Sequence, residues 1–443
     1  MSPALPDGDK TSLRPYISPM RNPFARNSCA LLLWSLLLLA AAPLSAVGPE
    51  WPQWGGPRRD FHVPDVSLSA SWPEGGPPQL WRRPLGQGYS AIAVSGGRLY
   101  TMVREKDDEE IVVALAAGDG KTVWEHRYPV DLGGLRLNYG KGPHSTPLVA
   151  GGRVFAIGTT GKLSVLDAAG GAPVWSRQLW EVMRGNEIAR GYGTSPIAYH
   201  DTVITIVGGD GNGAVAFDQA DGDVVWQSQD FHASQSSPIL VDVDGREQLV
   251  VFVADTIAGL DPASGELLWE HPHRSTAAYN VSTPVWGEED HLLFMSSAYG
   301  SGSRVLRLGY AGGEATVEEV WAHTRMRIHF TNAVRIGGTI YATTGQTGAK
   351  MLAAVDVETG EMPWRERAVG RANLVVAGDK VVALDEDGRL LLAELSPRGL
   401  SVLAETQLFE SKSWTVPTLV GRVLYARDEQ SIVALELPGP AAE

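Results

Sequence analysis

Five stretches of this chain rewrite one another. Residues 113–124 read VALAAGDGKTVW, 165–175 VLDAAGGAPVW, 215–226 VAFDQADGDVVW, 257–269 IAGLDPASGELLW and 354–364 AVDVETGEMPW. In all five a Gly stands four residues before the Trp, pairing Gly120, Gly171, Gly222, Gly265 and Gly360 with Trp124, Trp175, Trp226, Trp269 and Trp364. An apolar residue stands nine before the Trp, and in four of the five an Asp follows it (Asp167, Asp218, Asp261, Asp356). Such recurrence marks one supersecondary unit used again and again. The apolar run is a strand. Asp-x-x-x-Gly is a turn, because Asp bonds the backbone ahead of it and Gly accepts positive φ. The Trp lies on the returning strand.

Upstream of each hairpin lies a second strand pair, as in STPLVAGGRVF at 145–155. Four strands per unit, repeated, give a β-propeller blade. QLWRRPL at 79–85 reads as an outer strand without its blade, and residues 413–437 supply three strands without an outer one. Pairing the two closes the ring and removes both sheet edges. The fold class is therefore an all-β, eight-bladed propeller over residues 79–437, with seven blades if the degenerate unit near Val402 is not a blade. The fifth unit lacks the Asp and Gly, and Tyr299–Glu318 reads as an inserted loop; the seventh lacks the Trp.

Residues 1–46 read as a leader. From Met20, Arg21 and Arg26 form a positive region, Ala30–Ala42 is apolar, and small residues lead to a cleavage site after Ala46. Export to the periplasm or beyond is the expectation, with a retained membrane anchor as the alternative. Residues 47–78 are a lead-in, opening on EWPQWGGPRRD and crossing the propeller as a loop from 61 on; 438–443 are a tail. The sole cysteine, Cys29, lies in the leader, so the exported chain has no disulfide and no thiol chemistry. A net charge of −14 argues against nucleic acid as a partner.

The pattern apolar-Asp-x-x-x-Gly-x-x-x-Trp resembles the tryptophan-docking repeat of the PQQ-like β-propeller family, which includes quinoprotein alcohol dehydrogenases and envelope assembly factors of the BamB type. The WPQWGGPRRD lead-in resembles the start of secreted PQQ-binding-like propellers. The resemblance implies that Trp124, Trp175, Trp226, Trp269 and Trp364 each pack between blades over a docking Gly. It also implies PQQ with calcium as the cofactor pair of an enzymatic member. The dehydrogenases resemble one another in a vicinal Cys pair and a calcium-binding Glu/Asn/Asp set. Here no Cys follows residue 29, and no calcium ligand carries over to a numbered residue. Asp242-Val-Asp244-Gly245 reads as a hairpin turn rather than a calcium loop.

In a propeller, the loops from each outer strand to the next inner strand open on one face. Residues just before each inner strand ring the channel mouth: Tyr89, His144, Gly193, Gln235, Val281, Phe330, Arg371 and Trp414. Seven such loops hold 13 Lys/Arg against 8 Asp/Glu, and six of the ten His, on an acidic protein. The candidate binding residues are Arg136, Asn138, Lys141, His144, Arg184, Arg190, Tyr192, Gln235, Tyr279, Asn280, His323, Arg325, Arg327, His329, Arg371 and Trp414. No catalytic residue and no metal ligand is assigned. The first expectation is a noncatalytic binding or scaffold propeller of the cell envelope that takes a protein or peptide on this face. The alternatives are a PQQ-dependent oxidoreductase and a binder of anionic small molecules or glycans.

Overall fold

The computed structural model describes residues 50–182, 188–346 and 349–440. The described residues belong to one compact unit, within Val47–Glu443. The expected leader and the candidate Arg184 lie outside the described residues. Among the described residues no helix is long and apolar enough to cross a membrane.

Eight four-stranded antiparallel blades form the molecule. Blades 1–7 span residues 93–129, 148–178, 197–228, 239–272, 285–323, 333–366 and 372–407. Blade 8 takes three strands from 418–436 and its outer strand, Gln79–Pro84, from the other end of the chain, with Trp81 opposite Ala434 and Arg83 opposite Ile432. Middle strands such as Lys162–Asp167 (KLSVLD) are buried through their interior, which their continuous apolar runs permit. Outer strands such as Gln79–Pro84 bury mainly the Trp.

The repeat motif does two jobs. Asp167 Oδ1 accepts from Gly170 N–H at 2.6 Å and Asp167 O from Gly171 N–H at 2.8 Å, which closes the turn; Asp218, Asp261 and Asp356 act alike. A β-bulge beside the Trp then turns its ring inward and leaves the preceding apolar residue outside, so Val123, Val174 and Val225 are exposed. The ring lies on the docking Gly of the next blade: Trp81 on Gly120, Trp124 on Gly171, Trp175 on Gly222, Trp226 on Gly265 and Trp321 on Gly360. Each indole N–H donates to a carbonyl of that turn, at 2.9 Å for Trp81 to Ala117 and 3.1 Å for Trp175 to Gln219. Trp364 reaches Ser396 O of blade 7 in the same way, at 2.8 Å.

Trp269 departs from this expectation. Its indole N–H donates to Gln248 Oε1 at 2.6 Å and its ring covers Gly259, both in its own blade. The next blade offers no Asp–Gly turn to receive it. There, Tyr299–Glu318 is not a loop but most of a long hairpin, Gly302–Ala311 paired with Glu314–His323, turning at Gly312 and Gly313.

The lead-in also differs from a crossing loop. Residues 51–63 run against inner strands at the end away from the mouth. Trp51 pairs with Val94 of blade 1, Pro52 O accepts from Val149 of blade 2, and His62–Val63 run parallel to the inner strand Ala372–Ala377 of blade 7. Buried Arg59 donates to Ser195 O (3.4 Å), Pro196 O and Pro238 O (2.8 Å), tying blades 3 and 4 together. Burial lowers its pKa to about 9. Trp54 donates its indole N–H to Thr283 Oγ1 at 2.8 Å, beside blade 5.

Gly222 has φ +76°, and a Cβ there would stand 2.6 Å from the Trp175 ring, whereas Gly118 faces open space. Gly222→Ala is therefore expected to cost about 2–4 kcal/mol in urea unfolding, and Gly118→Ala less than about 0.5 kcal/mol. Arg59→Ala strands three carbonyls and is expected to cost about 3–5 kcal/mol in the same assay.

Candidate functional site

Residues leading into the inner strands converge on a cavity of about 170 Å³ at the channel mouth. Tyr89, His144, Gly193, Gln235, Ser282, Thr331 and Trp414 each bring one interblade connection to its wall, and Trp54 of the lead-in is also part of its lining. An arc of rings follows the wall. Tyr89 stacks on His144 with planes 8° apart and centroids 5.7 Å apart, and lies 5.4 Å from Trp414. Trp414 meets Phe330 at 4.6 Å, Phe330 meets His329 at 4.3 Å, His329 meets Tyr299 at 5.2 Å, and Tyr299 meets Tyr279 at 6.0 Å. Half-exposed Tyr139 reaches in from the loop after blade 1, to 6.2 Å from His329 and 6.4 Å from Trp414.

Cations sit on these rings. The Arg190 guanidinium lies 4.6 Å from the Tyr139 centroid and donates to Asn138 Oδ1 at 2.7 Å. Arg371 lies 4.2 Å from Phe330 and pairs with Glu386 at 2.9 Å, while Trp414 donates its indole N–H to the same Glu386 at 3.1 Å. Burial lowers the Arg371 pKa, and Glu386 works against that shift. Arg136 and Arg190, both lining the cavity, have no carboxylate partner among the described residues.

The two cavity histidines, His144 and His329, are neutral. Burial, reinforced by Arg371, Arg190 and Lys350, brings the His329 pKa to about 3. Burial and the charge of Arg104 bring His144 to about 4. His329 Nε2 is engaged by the Tyr299 hydroxyl at 2.7 Å, and its Nδ1 is buried without a partner. Tyr89 bonds to Glu429, and burial followed by that bond raises its pKa far above the usual phenol range.

The candidate residues divide accordingly. Arg136, His144, Arg190, Gln235, Tyr279, His329 and Trp414 line the cavity; Asn138 holds Arg190, and Arg371 stacks behind Phe330. The others lie elsewhere. Tyr192 is wholly buried, its hydroxyl bonded to Thr205 and Ile206 O. Asn280 is wholly buried and donates to the Val253 and Ala254 carbonyls. Lys141 pairs with Asp107 at 2.6 Å in the groove between blades 8 and 1. Arg325 donates to Gly360 O, and Arg327 to Thr324 O, so both are spent on loop backbone. Trp54, Tyr139 and Tyr299 are cavity residues that the sequence reading did not single out. Tyr139 sits between Asn138 and Gly140 in a stretch already marked by its basic residues, so its position was within reach. Trp54 had no local signal.

A family model described as outer membrane protein assembly factor BamB matches residues 108–323. Over that span the chain is similar to that family. No curated protein matches the sequence. Among solved structures, the propeller is similar to BamB from Moraxella catarrhalis, at 18% identity over 82% of this chain and 99% of that one, with a TM-score of 0.56. It is similar to the quinohemoprotein alcohol dehydrogenase ADHIIG from Pseudomonas putida HK5 at 13% identity, over 89% of this chain and 81% of that one, with a TM-score of 0.56. The computationally designed Ika8 protein aligns at 11% identity over 81% of this chain and 99% of that one, with a TM-score of 0.51. At these identities the likeness is one of fold.

The folded pKa values of His144 and His329 lie below the unfolded value near 6.5. The stability this contributes is complete above about pH 6.5 and is lost as pH falls toward 4 and then 3. Histidine ring NMR should show neither residue titrating between pH 8 and 5.5; a midpoint near 6.5 for either would refute the burial argument.

Proposed function

We propose that this protein is a noncatalytic binding propeller of the cell envelope, with the mouth as its contact surface. One observation carries the reading: the titratable groups around the mouth are already committed. Glu386 is held by Arg371 and Trp414, Glu429 by Tyr89, and His144 and His329 are neutral with depressed pKa values. Neither histidine is poised to exchange a proton near neutral pH. Arg136, Arg190 and exposed Tyr139 remain open, and Arg and Tyr are residue types that dominate contact surfaces. The match to an outer membrane protein assembly family supports a protein or peptide partner in the envelope, and export by way of the leader goes with it.

The likeness to a quinohemoprotein dehydrogenase raises the alternative of PQQ with calcium. Calcium takes six to eight oxygen ligands. The carboxylates bonded to the mouth's rings are instead engaged by a guanidinium, an indole and a phenol, a surround that does not fit the ion. No oxidoreductase step is derived from this site.

The test is crosslinking in envelope preparations. Tyr139→Ala combined with Arg190→Ala should cut partner capture at least tenfold with an unchanged melting temperature, while Arg325→Ala, outside the cavity, keeps it. Tight calorimetric binding of PQQ with calcium, accompanied by dye-linked alcohol oxidation, would overturn the reading.

A further inference from the structure

Two guanidiniums that line the cavity lack a carboxylate partner among the described residues. Arg371 is balanced by Glu386, and Lys141 by Asp107. Arg325 and Arg327 are bonded to backbone carbonyls. Arg136 and Arg190 line the cavity with no carboxylate partner among the described residues, on a chain of net charge −14. Arg190 is held in place by Asn138 and by the face of Tyr139, so its position does not depend on a guest.

The wall between these cations is mostly rings, and it includes one polar orphan. His329, 5% exposed, lines the cavity and has its Nδ1 buried with no partner. A buried nitrogen in that state costs free energy until something bonds it. The lead-in runs against inner strands away from the mouth, and Trp54, fixed by Thr283 and edge-on to Phe61 at 5.3 Å, contributes to the cavity lining. A guest entering from the mouth therefore meets Trp54.

We infer that the mouth is a pocket for a carboxylate carried on an apolar, ring-sized body, with Arg136 and Arg190 meeting the carboxylate and the Tyr139–Trp414–Phe330 rings meeting the body. This rests on the reading of the mouth as the contact surface and names the chemistry it takes. The same chemistry has two sources, a free organic acid and the terminal residue of a partner polypeptide. Guanidinium forks match carboxylate geometry, and aromatic walls favour a flat apolar body over a hydrated one.

The experiment is calorimetry on the purified full chain with four probes: N-acetylphenylalanine, its amide, and acetyl-Gly-Gly-Gly-Phe as the free acid and as the amide. Each acid should bind at least tenfold more tightly than its amide. Arg190→Gln and Arg136→Gln should each remove most of that difference, and Arg325→Gln should leave it intact; melting temperatures serve as the check on folding. Using two separate arginine variants keeps the test alive if one fails to fold. A peptide acid that exceeds the free acid tenfold identifies a chain end as the guest, and equal binding identifies a free acid. Equal binding of acid and amide, or no binding by any probe, overturns the inference. If that result comes with partner capture that still depends on Tyr139 and Arg190, the contact-surface reading stands and only the carboxylate assignment falls.

Discussion

An indole ring laid flat on a glycine that has no side chain sets the spacing of this propeller. The contact works only because the glycine holds a positive φ and leaves room for the ring, as Gly171 does beneath Trp124. The Asp four residues earlier closes the turn that presents it. A bulge in the outer strand aims the ring. Three local features therefore fix one blade against the next, and the ring of eight follows from repeating them. Where the turn is missing, in blade 5, the indole of Trp269 folds back on its own sheet, and packing of Trp269 among Leu293, Leu306 and Leu308 takes over at that boundary.

That geometry makes the mouth. Because the inner strands begin on the same face, the residue before each is carried to the channel rim whatever its chemistry. Tyr89, His144, Gln235, Phe330 and Trp414 become neighbours although they span more than 300 residues of sequence. The rim acids Glu386 and Glu429 are bonded to Arg371, Trp414 and Tyr89, and the rim histidines lie against rings. Among the described residues, Arg136 and Arg190 line the cavity with no carboxylate partner.

The architecture was legible because its determinants are local and repeated. The Asp–Gly–Trp spacing, and the unmatched strands at 79–85 and 413–437, need nothing beyond neighbouring residues to be recognised. The rim positions were legible for the same reason, through the start of each inner strand. What escaped depends on distant contacts. Trp54 is placed by Thr283, and Arg59 by carbonyls near residues 195 and 238, none of which any spacing announces. Tyr192 and Asn280 look like loop residues in sequence, yet both are buried, because burial is decided by what packs over a loop. The hairpin of blade 5 was hidden by turning at Gly312 and Gly313 without the Asp that marks its siblings.

The closure of blade 8 also orders events in time. Synthesis proceeds from the amino end, so Gln79–Pro84 emerges long before its partner Ser431–Glu436 exists. Until the last turn of the chain is made, that strand has an open hydrogen-bonding edge, and the lead-in has no finished ring to run against. Contacts of such long sequence separation form slowly, and open edges invite association with other chains. For most of its assembly the molecule is an incomplete ring with a sticky first strand. The interval before closure is therefore when it is most exposed to aggregation, and when a chaperone holding its amino-terminal end would matter most.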